Sequence, residues 1–167
     1  MSVDWDPGRA PEDAIRKIRG PLLFAWPVRR FLEGGALVIQ GHAREGAPVD
    51  TGRLRGSIGY QIDRRTIPTY AKVGTNVAYA RYMEYGTGAL SDKPETVAGW
   101  KFPTGAELDT WARRHGFAQG SHVADIIRWK GGLAPRRYLR NAFEKSKSDI
   151  QKLLRNMAAE IEKAWAQ

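Results

Sequence analysis

After Pro135 the large apolar residues Leu139, Phe143, Ile150, Leu154, Met157, Ile161 and Trp165 recur at spacings of three, four and seven. An α-helix of about 3.6 residues per turn stacks such positions on one face, so the pattern predicts a long amphipathic C-terminal helix with charged outer faces. A helix of this kind cannot bury its stripe alone. The rest of the chain must supply a second layer to cover it.

Two stretches can do so. Pro27 suits a first helical position, and Val28, Phe31, Leu32, Ala36, Val38, Ile39 and Ala43 follow near a helical stripe that ends before Gly46-Ala47-Pro48. Gly34-Gly35 weakens that helix without abolishing it. From Ser57 the period changes to two: Ile58, Tyr60 and Ile62 alternate with Gly59, Gln61 and Asp63, and residues 69–77 are rich in β-branched and aromatic types. This predicts an antiparallel hairpin or meander joined by the basic, exposed link Arg64-Arg65-Thr66-Ile67-Pro68. Residues 76–83 start a further strand or one helical turn.

Residues 89–133 read as an insertion. A Pro/Gly-rich stretch leads to a helix at 106–114 carrying Leu108, Trp111 and Ala112, then to a second helix at about 122–129, closed by Gly116 and Gly131-Gly132. The sum is an α+β class: a small antiparallel sheet packed by an amphipathic N-terminal helix and a long C-terminal helix, with an inserted helical pair.

The 167 residues, 42% of them hydrophobic, fit one domain at 27–167. Residues 1–26 are broken by Pro7, Gly8, Pro11, Gly20 and Pro21 and read as an N-terminal arm holding a short helix at 12–19. Zero Cys excludes disulfides, thiolate zinc sites and a cysteine nucleophile, and suits a reducing cytoplasm. The start lacks a signal-peptide pattern, and no window approaches the ~20 apolar residues of a membrane span, so a soluble protein without membrane partners is expected.

The motifs offer little chemistry. Asp50-Thr51-Gly52 is the tripeptide of aspartic proteases, but it occurs once, and Arg53 and Arg55 follow where those enzymes place apolar strand residues. Asp50 or Thr51 can instead cap a turn or helix start, with Gly52 supplying a backbone conformation that other residues resist. Arg53 and Arg55 favour carboxylate or phosphate partners and can serve an interface. Glu84-Tyr85-Gly86-Thr87-Gly88 lacks the lysine of a phosphate loop. Tyr79, Tyr82 and Tyr85 recur every three residues as a packed aromatic edge or a contact surface. His42, His115 and His122 have no zinc spacing, so neither metal nor cofactor is expected. Scattered carboxylates such as Glu84, Asp109 and Asp125 read as helix and ion-pair partners.

The formal charge is +9. Asp4, Asp6, Glu12 and Asp13 balance Arg9, Arg16, Lys17 and Arg19, so the surplus lies in 27–89 and 135–167. No base-reading motif organises it. It can meet DNA phosphates without reading sequence, or face acidic neighbouring subunits.

Three ordered segments carry a resemblance: Pro48-Val49-Asp50-Thr51-Gly52-Arg53-Leu54-Arg55-Gly56-Ser57-Ile58, then Tyr79-Ala80-Arg81-Tyr82-Met83-Glu84-Tyr85-Gly86-Thr87, then Pro135-Arg136-Arg137-Tyr138-Leu139-Arg140-Asn141-Ala142-Phe143. Together they resemble the minor tail, neck and tail-completion proteins of long-tailed double-stranded DNA phages. Trp111-Ala112-Arg113-Arg114-His115-Gly116 and Lys130-Gly131 match the family's insertion. The resemblance implies an α+β fold and a non-enzymatic virion component that completes or terminates the tail and joins it to the head. It implies a hexameric or dodecameric ring of this chain around the DNA channel, touching connector and tail-tube proteins, made in the host cytoplasm and resident in the virion neck or tail.

On that reading Asp50, Thr51, Gly52, Arg53, Arg55, Tyr79, Tyr82, Glu84, Tyr85, Gly86, Arg136, Arg137 and Tyr138 are candidate interface or turn residues. Arg64, Arg65 and Lys72 are candidate contacts to DNA in the channel. Two departures leave the position in the neck open: Pro135-Arg136-Arg137-Tyr138 stands for the usual Arg-Pro-Phe, and residues 1–26 have no family counterpart. The alternative function is a DNA-binding protein without sequence specificity.

Overall fold

The computed structural model describes residues 10–166, with backbone alone for 10–22. The elements run α1 (Ala10–Gly46), α2 (Arg53–Ser57), β1 (Gly59–Ile62), β2 (Ala71–Gly74), α3 (Ala80–Tyr85), a 3-10 turn (Gly88–Leu90), α4 (Gly105–Arg114), α5 (Gly120–Trp129) and α6 (Tyr138–Trp165). The class is α+β, as expected, and the strands form a hairpin: Gly59 pairs with Gly74 and Ile62 with Ala71 in antiparallel register. No helix among the described residues is long and apolar enough to cross a membrane. The chain divides into two compact units, one of Met1–His42, Gly59–Gly74 and Phe143–Gln167, the other of Ala43–Ile58 and Thr75–Ala142.

In the first unit α1 and α6 run antiparallel. The rings of Phe24 and Trp165 stack at 5.8 Å, Arg30 pairs with Glu160 at 3.0 Å, and Gly34 and Gly35 face Leu153 and Ile150. A Cβ on Gly34 would stand 3.3 Å from Leu153 Cδ1. The glycine pair, a weakness by propensity, is thus where the second helix lies close. The hairpin is tied to α1 by the Tyr60 hydroxyl, which donates to Glu33 at 3.2 Å, and by Arg29, which donates to the Arg65 carbonyl at 3.3 Å.

Two local expectations change. Pro27 does not start a helix, because α1 passes through it without a break. Proline there removes the N–H that would bond to the Leu23 carbonyl and crowds that carbonyl with its ring, and packing of the buried Pro27 and of Phe24 on Trp165 offsets the cost. The helix expected at 12–19 falls inside α1 as backbone, and the rest of the expected arm, 1–9, lies outside the described residues. On α6 the buried stripe is Tyr138, Ala142 and Ser146, continued by half-buried Ile150, Leu153 and Met157. Phe143, Leu154 and Trp165 are exposed instead. Ala142 and Ser146 are small and carry little hydrophobic signal, so a reading weighted to bulk passed over part of the buried face.

In the second unit Ala43, Ala47, Leu54, Ile58 and Ala80 are buried around α2 and α3, the latter being the helical turn allowed for at 76–83. Arg44 donates to the Ile58 carbonyl at 2.8 Å. Helix α4 opens with a reciprocal cap: Thr104 Oγ1 accepts from Glu107 N, and the Glu107 carboxylate accepts from Thr104 N at 2.7 Å. Asp109 on α4 accepts from the Gly120 N–H at the start of α5 at 2.8 Å. Ala112, Val123 and Ala124 are buried.

Candidate functional site

The second and third sequence motifs meet in one frame. Arg136 N donates to the Met83 carbonyl at 2.8 Å and Arg137 N to the Glu84 carbonyl at 3.1 Å. One turn on, the Glu84 carboxylate accepts from Leu139 N at 2.8 Å and Arg140 N at 3.0 Å. These are first-turn amides of α6 with no partner inside the helix, so a charge from a distant segment caps its positive end. Glu84 is 5% exposed.

The adjoining crossing is as tight. Thr87 N donates to the Leu133 carbonyl at 2.9 Å, Leu133 N returns to Thr87 Oγ1 at 2.9 Å, and Ala89 N donates to Gly131 O at 2.8 Å. Gly86 has φ 76°, and a Cβ there would lie 2.7 Å from the Leu133 carbonyl oxygen. Arg137 holds the left-handed φ of 52°, and its guanidinium grips Asp92 at 2.6 and 2.9 Å, with Arg140 at 3.5 Å. The Arg137 hydrogen bond holds the Asp92 carboxyl below its usual range against the opposing effect of burial. Tyr138 is 1% exposed and its hydroxyl lacks a partner among the described residues, while burial pushes the phenol up to about 12.

Glu84, Gly86 and Tyr138 lie inside, Tyr82 accepts from Arg81 at 2.9 Å, and Lys93 sits 5.2 Å over the Tyr85 ring. Tyr79 and Arg136 are exposed, and the Arg136 guanidinium bonds to no described residue. Thr87 and Asp92 were not singled out from the sequence. Their partners lie 46 and 45 residues away, a separation with no local signature.

At the first motif Gly52, not Asp50 or Thr51, is the N-terminal residue of the α2 cap, with φ 79° and no side-chain bond. Thr51 Oγ1 makes a loose 3.5 Å contact with Arg53 N. Asp50 turns to α4 instead, where Arg114 donates at 3.0 Å and His115 Nε2 lies 3.9 Å away. The His115 ring stacks on Trp111 at 4.1 Å. A carboxylate paired with an arginine is unlike the proton-sharing dyad of an aspartic protease. Arg53 and Arg55 are exposed and make no side-chain bond to a described residue.

The hairpin loop, in the other unit, is organised by Asp63, 8% exposed. Its carboxylate accepts from Arg65 N at 3.2 Å, Arg65 Nε at 2.6 Å, Thr69 N at 3.1 Å and Thr69 Oγ1 at 3.1 Å. Burial works to raise its pKa, but the hydrogen bonds from Thr69 and Arg65 prevail and hold it at about 2. Arg65 is thus committed within the loop, Lys72 lies 4.9 Å over the Tyr70 ring, and Arg64 is exposed with its guanidinium bonded to no described residue.

Residues 26–86 match the family model of the HK97-gp10-like family, described as "Bacteriophage HK97-gp10, putative tail-component". The matched span runs from within α1 through the hairpin to the end of α3, and it bears out the resemblance to a phage tail and neck morphogenesis family. It supports a phage tail component with a structural role. No curated protein and no solved structure matches the chain.

Proposed function

We propose that this chain is a structural component of the phage neck or tail that completes or terminates the tail and joins it to the head. The observation that carries this reading is the match of residues 26–86 to a phage tail-component family. The motif beyond that span is consistent with a bracing role, because the backbone of Arg136 and Arg137 and the first-turn amides of α6 bond to Met83 and Glu84. Arg53, Arg55, Tyr79 and Arg136 form the candidate interface that remains exposed in the second unit. Arg64 is the cation best placed to meet DNA phosphate, as Arg65 and Lys72 have internal partners.

A head-to-tail interface repeated around an axis closes a ring, hexameric or dodecameric, and presents the same cations to the lumen. Electron microscopy of lysates from the parent phage or prophage lacking this gene tests the reading. Filled heads beside unjoined or abnormally long tails are expected. Normal infectious particles would overturn it, and tight salt-sensitive duplex binding by the isolated chain would then favour a DNA-binding role.

A further inference from the structure

The hairpin of the first unit is a sheet of two strands, β1 and β2, and each strand has an outer edge. Asp63 N donates to the Tyr70 carbonyl at 3.1 Å. In an antiparallel ladder such bonds fall on alternate pairs, so the bonded pairs are Gly59 with Gly74, Gln61 with Lys72 and Asp63 with Tyr70. Tyr60 and Ile62 on β1, and Ala71 and Val73 on β2, then turn their N–H and C=O groups outward. None of these groups bonds to a described residue, and all four residues are part-exposed.

A row of unpaired backbone groups is a template for another strand, and two strands of four residues make a marginal sheet by themselves. Folded chains blunt such edges with proline, a bulge or a free charge. Here neither strand holds proline, the register runs without a bulge, and Lys72, the one charge in either strand, lies over the Tyr70 ring at 4.9 Å. A second copy is the occupant that answers both edges at once. Strand β2 of one chain against β1 of the next continues the antiparallel order of the hairpin, sets Lys72 opposite the neutral Gln61, and pairs Ala71 with Ile62 and Val73 with Tyr60. A two-fold contact of β2 with β2 would put Lys72 against its own copy, a destabilising like-charge pair, and one of β1 with β1 would leave both β2 edges bare.

We infer that the β2 edge of each chain adds to the β1 edge of a second copy, so that strand pairing makes the head-to-tail contact. This names the contact in the ring proposed above and rests on that reading for its closure.

The chain has no cysteine, so Gln61→Cys and Lys72→Cys each introduce a lone thiol. Across the new pairing these positions face each other without a mutual hydrogen bond, where Cα atoms lie about 4.5 Å apart, within disulfide reach. Both variants are co-expressed during infection by the parent phage lacking this gene, the lysate is oxidised, and linked peptides are read by mass spectrometry. A disulfide joining the two segments is expected only when both variants are present. Adding Val73→Pro to the Lys72→Cys chain removes an outward N–H and no bond of the hairpin, and should lower the yield by about tenfold or more. A circular dichroism melt checks that each variant folds. Dimers from either variant alone, no linked dimer from folded chains, a yield indifferent to Val73→Pro, or an equal yield when Lys145→Cys on α6 replaces Lys72→Cys overturns the inference. The linked dimer formed while gene deletion leaves particles normal would keep the strand pairing and remove the assembly reading. Unjoined particles on deletion, with no linked dimer from the variants, would do the reverse.

Discussion

Two carboxylates do different work because of what faces them. Glu84 meets two backbone amides and, among the described residues, no salt-bridging cation, so Glu84→Ala strands buried donors at the start of α6. The expected loss is about 2 kcal/mol, between the value of a helix cap and that of a charged hydrogen bond. Glu84→Gln should lose less, as its carbonyl can still accept. Urea denaturation of the three proteins checks both. Asp63 makes the chain acid-sensitive. Its carboxyl binds a proton less readily folded, at about 2, than at its ordinary 3.8, so its stabilisation is present above 3.8 and lost as pH falls through about 2. Thermal melts between those pH values should show a flatter acid limb for Asp63→Asn than for the natural chain.

Among the elements, the crossing of 87–89 with 131–133 sets the strictest demand. Gly132→Ala would force a Cβ to 2.0 Å from the Thr87 oxygen at φ 143°, whereas Gly52→Ala meets open space at φ 79°. The first should cost about 3 kcal/mol or more through clash plus backbone strain. The second should cost about 1 kcal/mol from conformation alone, and denaturation midpoints should rank them so. Because this crossing brings the ends of the 89–131 stretch together, replacing 90–130 by a short glycine link should leave a cooperatively folding chain, read by circular dichroism. It would lose the pairs from Asp92 to Arg137 and from Asp50 to Arg114, each worth about 0–1 kcal/mol at an exposed site.

Helix existence was legible in the sequence because it depends on local periodicity: α4, α5, α6 and the hairpin stand near where the pattern placed them. What was not legible depends on partners far along the chain. Nothing near Gly34-Gly35 announces that Leu153 will lie on it, and nothing near Glu84 announces an amide at position 139. Part of the buried face of α6 was missed for the same reason, since Ala142 and Ser146 carry little hydrophobic signal yet are buried. Of the candidate site, Gly52 and the exposed Arg53, Arg55 and Arg64 could be read from residue type. Tyr138 and Glu84, read as interface or turn residues, are interior.

For the whole molecule, the +9 charge sets behaviour toward any polyanion. Duplex DNA should bind weakly and lose affinity steeply with salt. Removing one phosphate contact with Arg64→Ala should reduce the slope of log K against log salt by about 1, measurable by fluorescence anisotropy. The Glu84 cap also has a consequence in time. Its amide partners lie 55 and 56 residues later, and a ribosome adding roughly 5–20 residues per second reaches them about 3–11 s after the carboxylate. For that interval α1 is complete while the helix that covers Gly34 and Gly35 does not yet exist. Only a finished chain can hide that stripe, so a prematurely terminated one would leave the ribosome with its apolar seam bare and be marked for chaperones or proteolysis.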